Sequence, residues 1–343
     1  MIPPRYITVA VAALFAISLV VLTGVVPIQA SSGHWRATAW LLDLVKRRSV
    51  HLYSRNIEPP SLGSYSQVLR GAGHFESGCR PCHGSPLSPR SPVVMRMTPH
   101  PPELSARIAR WDDRELFQIV KHGIKFTAMP AWPAPQRADE IWAIVALLRA
   151  LPGLTPDRYR DLAFGDTTTA DGVTAVERCV RCHGADGTGR GGVFPTLAGQ
   201  RPDYLTNALA AYREGRRHSG IMQPEAAALD ESARSAVVDY FSRLPRPPAA
   251  QGSSAAGGVL VLQGDPARQI PPCSQCHGPS PTDRNPAYPL LAGQSAEYLV
   301  EQLVLFSENR RGGSGFAPIM EEIAARLSAR EMRAAADYYG ARR

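Results

Sequence analysis

The six cysteines of this 343-residue chain fall into three pairs, Cys79/Cys82, Cys179/Cys182 and Cys273/Cys276, with two residues inside each pair. The residue behind each second cysteine is a histidine: His83, His183 and His277. The chain has only nine histidines, so chance does not set one behind every pair, and no cysteine is left over. A Cys-x-x-Cys pair can share a zinc ion, exchange thiols with a partner, or bond a cofactor covalently. The histidine has to be weighed against each.

A structural zinc site takes four ligands, usually from two such pairs close in sequence. Here the second and third pairs stand 94 residues apart, and each would need further ligands. A thioredoxin-type thiol pair follows a strand in a βαβ unit, and no alternating strand pattern is visible. A c-type haem needs two thiols on one helical turn for its vinyl groups and an imidazole next in line for the iron. The pentads supply both. We expect three covalently bound haem c groups, attached through the three cysteine pairs, with His83, His183 and His277 as iron ligands.

The opposite face of each iron needs a ligand from farther along. Met222 and Met320 lie 39 and 43 residues after their histidines, and Met129 lies 46 after His83. Each stands just before the last helical pattern of its segment. Met95 and Met97 are too near His83 to cross a haem. His122 and His218 are alternatives in the first two segments, but no histidine follows His277, so a uniform bis-histidine scheme fails. Met129, Met222 and Met320 are therefore the expected sixth ligands. Thioether ligation raises the potential relative to two imidazoles, and a saturated iron offers no open position to a substrate. No catalytic residue is expected. The arginine pairs 216–217 and 310–311 read equally as partners of haem propionates or as solvated basic loops. Pro195 and Pro289, with Pro102 as the first counterpart, are placed to offer each imidazole's second nitrogen a backbone carbonyl.

The elements that hold these residues repeat. Shifted by 94 residues, the pentad at 179–183 falls on 273–277, PTLAGQ (195–200) on PLLAGQ (289–294), Tyr204 on Tyr298, and Arg216 and Arg217 on Arg310 and Arg311. After four inserted residues Met222 meets Met320 and Tyr240 meets Tyr338. The first pentad heads a more distant copy. Apolar residues recur at helical spacing over 111–122, 139–151, 202–214, 231–244, 296–309 and 329–339. The fold class is all-α, in units spanning 64–152, 153–246 and 247–343. Turn-forming stretches at 152–156 and 245–258 separate them.

Residues 6–35 contain no Asp, Glu, Lys or Arg, and 7–26 are almost continuously apolar. About 20 such residues span a hydrocarbon core, more than the usual signal-peptide core of about 7–15. Residues 1–30 are expected to be an uncleaved membrane anchor rather than a removed signal, and 31–63 a juxtamembrane linker. Basic residues flank both ends of this segment and leave its orientation open. The net charge of +8 is scattered, with no basic run longer than 46–48 and no nucleic-acid motif, which argues against nucleic acid as a partner. Only 7% of residues are aromatic, against 31 prolines and 29 glycines, which suits small helical units with stiff connectors.

From pentad to distal methionine and closing helix, each unit resembles a class I c-type cytochrome domain. Residues 166–343, with the PxLAGQ, Tyr-Leu and Arg-Arg repeats, resemble dihaem cytochrome c4. Residues 64–152, with FQIVKHGIKFTAMPAW, resemble a membrane-tethered monohaem cytochrome c. The resemblance implies haem attachment outside the bacterial inner membrane, with the haem units in the periplasm behind a single-pass helix. It also implies electron shuttling between respiratory redox partners. Two other functions stay open at this stage: a cytochrome subunit of a periplasmic dehydrogenase or terminal oxidase complex, and a haem peroxidase. Replacing both Cys179 and Cys182 by alanine is expected to lower the holoprotein mass by one haem; a mass still containing three would refute attachment at this pair.

Overall fold

The structure, a computed structural model, describes residues 3–165, 174–247, 255–278 and 285–342. These residues form sixteen α-helices and no β-strand, joined by loops and short 3-10 turns. The part of the expected linker at 248–254 lies outside the described residues.

Helix α1 (Pro4–Leu22) is 19 residues long, has a mean hydropathy of 2.2 and buries none of its side chains. By length and composition it can cross a membrane. Helix α2 (Arg36–Ser54) lies within the 31–63 segment, where periodicity did not mark it. It leans on the first haem unit through His51, whose Nδ1 lies 3.2 Å from Glu115.

The first unit is built from α3 (Tyr65–Gly78), α4 (Arg80–His83), α5 (Asp113–His122) and α6 (Ala138–Ala150). Sequence-local chemistry fixes the helix starts: Ser64 with Gln67 and Asp112 with Glu115 form capping boxes. Helix α5 ends on Lys121 and His122, favourable at the negative end of the helix dipole, and Gly123 then turns the chain at φ 64°. Helix α3 crosses α6 so closely that a Cβ on Gly71 would sit 2.2 Å from the Ala143 carbonyl oxygen. Around that crossing Phe75, Ile141, Ile144 and Leu147 are fully buried. Helix α7 (Pro156–Ala163), beyond residue 152, packs on α3; the buried Tyr159 hydroxyl donates to Glu76 at 2.8 Å.

The second unit has α8 (Thr174–His183), α9 (Pro202–Arg213), α10 (Met222–Ala227) and α11 (Glu231–Arg243). The third has α12 (Ala255–Gln263), α13 (Ser274–His277), α14 (Ala296–Ser307), α15 (Ala317–Ala325) and α16 (Ala329–Gly340). In both, the first helix again packs on the last, α8 on α11 and α12 on α16. Gly257 repeats the close approach, with its Cβ position 2.1 Å from the Ala334 carbonyl oxygen. All six helices expected from periodicity are present within two residues of their expected ends. The residues before Cys273 form a 3-10 turn (Pro266–Arg268) and loop after α12.

A side chain at the α3–α6 crossing has nowhere to go but against backbone. Gly71→Val is therefore expected to destabilise the first unit by about 1–3 kcal/mol, read as a lower midpoint in denaturant. An unchanged midpoint would contradict the crossing.

Candidate functional site

Each pentad sits where a helix ends. Cys179, Cys182 and His183 occupy the last two turns of α8, while Cys79 and Cys273 precede the single turns α4 and α13. Cys82 lies within α4 and Cys276 within α13, each directly before its histidine. The backbone N–H of Cys82 donates to the Cys79 carbonyl at 3.1 Å, which sets both thiols on one turn, as two vinyl groups require. A glycine with positive φ follows each histidine (Gly84, Gly184 and Gly278), so the chain turns away at once. None of the six cysteines is joined to another in a disulfide. Burial pushes Cys79 and Cys179 up to about 12, and Cys182 and Cys273 up to about 11. Exchange-active pairs have depressed values instead, so this environment argues against thiol exchange. Among the described residues no group of three or more His, Cys, Asp or Glu side chains is placed to hold a metal ion.

The three histidines share one contact. Nδ1 of His83 lies 3.0 Å from the Pro102 carbonyl oxygen, and Nδ1 of His183 and His277 each lie 3.1 Å from those of Pro195 and Pro289. A carbonyl can only accept, so Nδ1 carries the proton and Nε2 keeps its lone pair. Burial lowers the values of His83 and His183, which keeps both rings neutral. The His183 ring is steadied edge-on by Phe194 and Phe241, with centroids 6.4 and 6.3 Å away. This is the state an imidazole needs to bind iron.

A cavity of about 350 Å³ runs through the second and third units. Cys179, Cys182, His183 and Met222 line it from one side, and Cys273, Cys276, His277 and Met320 from the other. Met222 opens α10 and Met320 lies in α15, short helices that the sequence pattern did not mark.

The first unit departs from the expected equivalence of the three sites. Cys79, Cys82, His83 and Met129 do not line this cavity. Cys79 packs against the core of its unit, whereas Cys82 is half-buried in α4 and stands apart from that core. The physical reason lies in the loops. Residues 84–101 separate His83 from its proline, against eleven residues in each of the other units, and the PxLAGQ segments that wall the shared cavity have no copy here. Met129 is held in a tight loop between α5 and α6. Its carbonyl accepts from Ile124 at 3.2 Å, and its N–H donates to Thr127 at 3.1 Å. His122 ends α5 at the surface, and the backbone of His218 is tied to Arg311 across the unit junction at 2.8 Å.

The two arginines of each pair have separate fates. Arg216 and Arg310 pair with Glu214 and Glu308 at the surface. Arg217 and Arg311 are buried in the cavity wall. Arg217 donates to the hydroxyls of Tyr204 (3.3 Å) and Tyr298 (3.0 Å), and Arg311 donates to Gln302 (2.7 Å). Among the described residues neither reaches a carboxylate. Two buried guanidiniums with only neutral partners form a site that wants an anion. A haem propionate fits that need, and the apolar remainder of the cavity fits a porphyrin.

Several residues that sequence reasoning missed join the units. Gln200 and Gln294 are buried and reach reciprocally across the junction of units two and three. Their repeat position was the available signal. Glu140 of α6 accepts from Ser219 Oγ and Gly220 N–H, both at 2.6 Å, and so holds the loop that leads into Met222. A carboxylate on the apolar face of α6 could have signalled it. Arg137 donates to the His218 carbonyl at 2.8 Å, and Arg70 pairs with Glu301 of the third unit. His74 lines the cavity from the first unit with both ring nitrogens unpartnered, and burial pushes it down to about 3. Finally, α3 runs against the second pentad: a Cβ on Gly73 would stand 3.1 Å from Cys182 Sγ, and Arg181 donates to Ser77 at 2.8 Å.

Comparison with known proteins matches this architecture. Residues 66–148 match the family model of cytochrome c oxidase, cbb3-type, subunit III, and residues 169–245 match that of cytochrome c. The chain is 40% identical over 202 residues to a thiosulfate dehydrogenase electron acceptor of Stutzerimonas stutzeri, covering 57% of this chain and 91% of the relative. It is 34% identical over 198 residues to cytochrome c4 of Pseudomonas aeruginosa, covering 57% of this chain and 96% of the relative. Among solved structures, thiosulfate dehydrogenase from Marichromatium purpuratum aligns at 36% identity and a TM-score of 0.43 over 48% of this chain, which spans only 36% of that one. Since the curated relatives are covered almost end to end, the chain belongs to the c-type cytochromes, and its three pentads, Cys79/Cys82 included, carry covalently bound haem c.

Proposed function

We propose that this electron-transfer cytochrome is a membrane-anchored relay of three His/Met-ligated haems facing the periplasm. In each unit the histidine of the pentad would hold the iron through Nε2, and Met129, Met222 and Met320 would hold it from the other side. Arg217 and Arg311 would take haem propionates. The haem supplies reversible one-electron chemistry; the chain supplies the tether, the ligands, a dry pocket and the order of contacts. The units divide as 64–152, 153–246 and 247–343, with α7 packed on the first, behind an anchor at 1–30 and a juxtamembrane linker at 31–63.

The observation that carries the relay is the position of the second pentad. Cys182 lies against α3, the helix that ends in Cys79, while its own cavity continues into that of Cys273, Cys276 and His277. The second unit thus contacts both the first and the third. Electrons would enter at one terminal unit and leave at the other.

The names of the relatives point to the donor. Proteins similar to this one over most of their length serve as electron acceptors of thiosulfate dehydrogenase. A periplasmic dehydrogenase of that kind is our first candidate partner. The match of the first unit to a cbb3-type oxidase subunit favours a terminal oxidase as the acceptor. The same two observations support a standing role as the cytochrome subunit of such a complex.

Ligation and function are tested together on the full-length holoprotein. Met222→Ala is expected to keep three haems by mass but to convert one to a high-spin, carbon monoxide-binding form with a lower potential. An unchanged spectrum would assign that ligand elsewhere. In the wild type all three irons are expected to be low-spin and to resist carbon monoxide. One that binds it readily would contradict a pure relay.

A further inference from the structure

The PxLAGQ repeat accounts for more than a turn. Its final glutamine leaves its own unit and grips the peptide that follows the proline of the other. Gln294 Oε1 accepts from the N–H of Thr196 at 2.7 Å, and its Nε2 donates to the Thr196 carbonyl at 3.0 Å. In mirror image, Gln200 Oε1 accepts from the N–H of Leu290 at 2.9 Å, and its Nε2 donates to the Leu290 carbonyl at 3.0 Å. Both glutamines are buried, and each Oε1 also accepts from the next backbone N–H in its own chain, Ser295 or Arg201. Only one amide orientation satisfies all of these partners.

The N–H of Thr196 belongs to the same peptide group as the Pro195 carbonyl, which accepts from His183. The N–H of Leu290 likewise shares its peptide with the Pro289 carbonyl, which accepts from His277. Each junction is therefore a chain of two hydrogen bonds through one amide. A peptide whose N–H is already donating has a more electron-rich oxygen, because hydrogen bonds in series polarise one another. A stronger acceptor at Nδ1 makes the imidazole a more basic ligand and stabilises the oxidised iron.

We propose that Gln200 and Gln294 are positioning residues that tune the haem of the opposite unit. Gln294, in the third unit, lowers the potential of the haem at His183, and Gln200, in the second, lowers that of the haem at His277. The first unit has no such partner in its repeat, since PxLAGQ is absent there. This proposal rests on His183 and His277 ligating iron. It goes beyond that reading by making each potential depend on a side chain of the neighbouring unit.

The test is an NMR-monitored redox titration of the full-length holoprotein, with each haem's methyl signals assigned through contacts to its own unit. Gln294→Leu is expected to raise the potential of the second haem and leave the third unmoved. Gln200→Leu is expected to do the reverse. Gln294→Glu keeps an oxygen facing Thr196 N–H, so the second haem is expected at or below its wild-type potential. A structural role alone would move both haems together, or would move Leu and Glu variants in the same upward direction, and either pattern overturns the proposal. An unmoved second haem in Gln294→Leu overturns it as well. The ring-current-shifted signals of the axial histidine and methionine, read in the same reduced wild-type sample, keep the two ideas apart. Their absence would remove the ligation reading; their presence beside unmoved potentials would remove only the role of the glutamines.

Discussion

An imidazole can give iron only one of its two nitrogens, and here a proline carbonyl decides which. In each unit the pentad histidine spends Nδ1–H on a backbone oxygen 19, 12 or 12 residues farther on. That contact fixes the tautomer, aims the ring and makes the loop between pentad and proline part of the haem site. The helix crossings α3–α6, α8–α11 and α12–α16 frame each unit, with its pentad after or at the end of the first helix and the last helix packed back on it. Gly71 and Gly257 allow two of those crossings to close.

Much of this was legible from residue types. Three pentads, six periodic helices and the 94-residue repeat identified the unit, its cofactor and its all-α class. They could do so because covalent attachment demands a fixed local motif, and because an amphipathic helix shows its buried face in its spacing. Even the proline carbonyls could be anticipated from the repeat. The short helices around Met222 and Met320 could not. A helix of six or nine residues in a loop region is made by its tertiary surroundings rather than by propensity. Helix α2 lies in a segment read as a linker and is largely exposed, with only Val50 and Ser54 buried. Nor could the pentads alone show that Cys79 and Cys82 sit outside the cavity shared by the other four cysteines, because that cavity is walled by loops the first unit lacks.

Contacts between units were the least visible. Glu140 lies in a helix whose neighbours are nearly all apolar, and only the fold shows that Ser219 and Gly220 of the second unit join Arg137 and Trp132 of its own as partners. Burying a carboxylate is costly without such partners, so its presence there marks a junction that excludes water. The split between Arg216 and Arg217, and between Arg310 and Arg311, follows from helix ends: one arginine of each pair points out toward its own glutamate and the next points into the cavity. Adjacent residues in a loop often differ in this way, and a pattern of two arginines cannot say which is which.

These junctions join the three units, with the second touching both others, and in the proposed relay electrons would pass through them. The most direct measurement is time-resolved redistribution of a single electron, delivered photochemically to the oxidised full-length holoprotein and followed at all three haems. The account predicts equilibration across all three haems at a rate independent of protein concentration. A rate that rises with concentration, or a first haem that never exchanges with the other two inside one molecule, would contradict it.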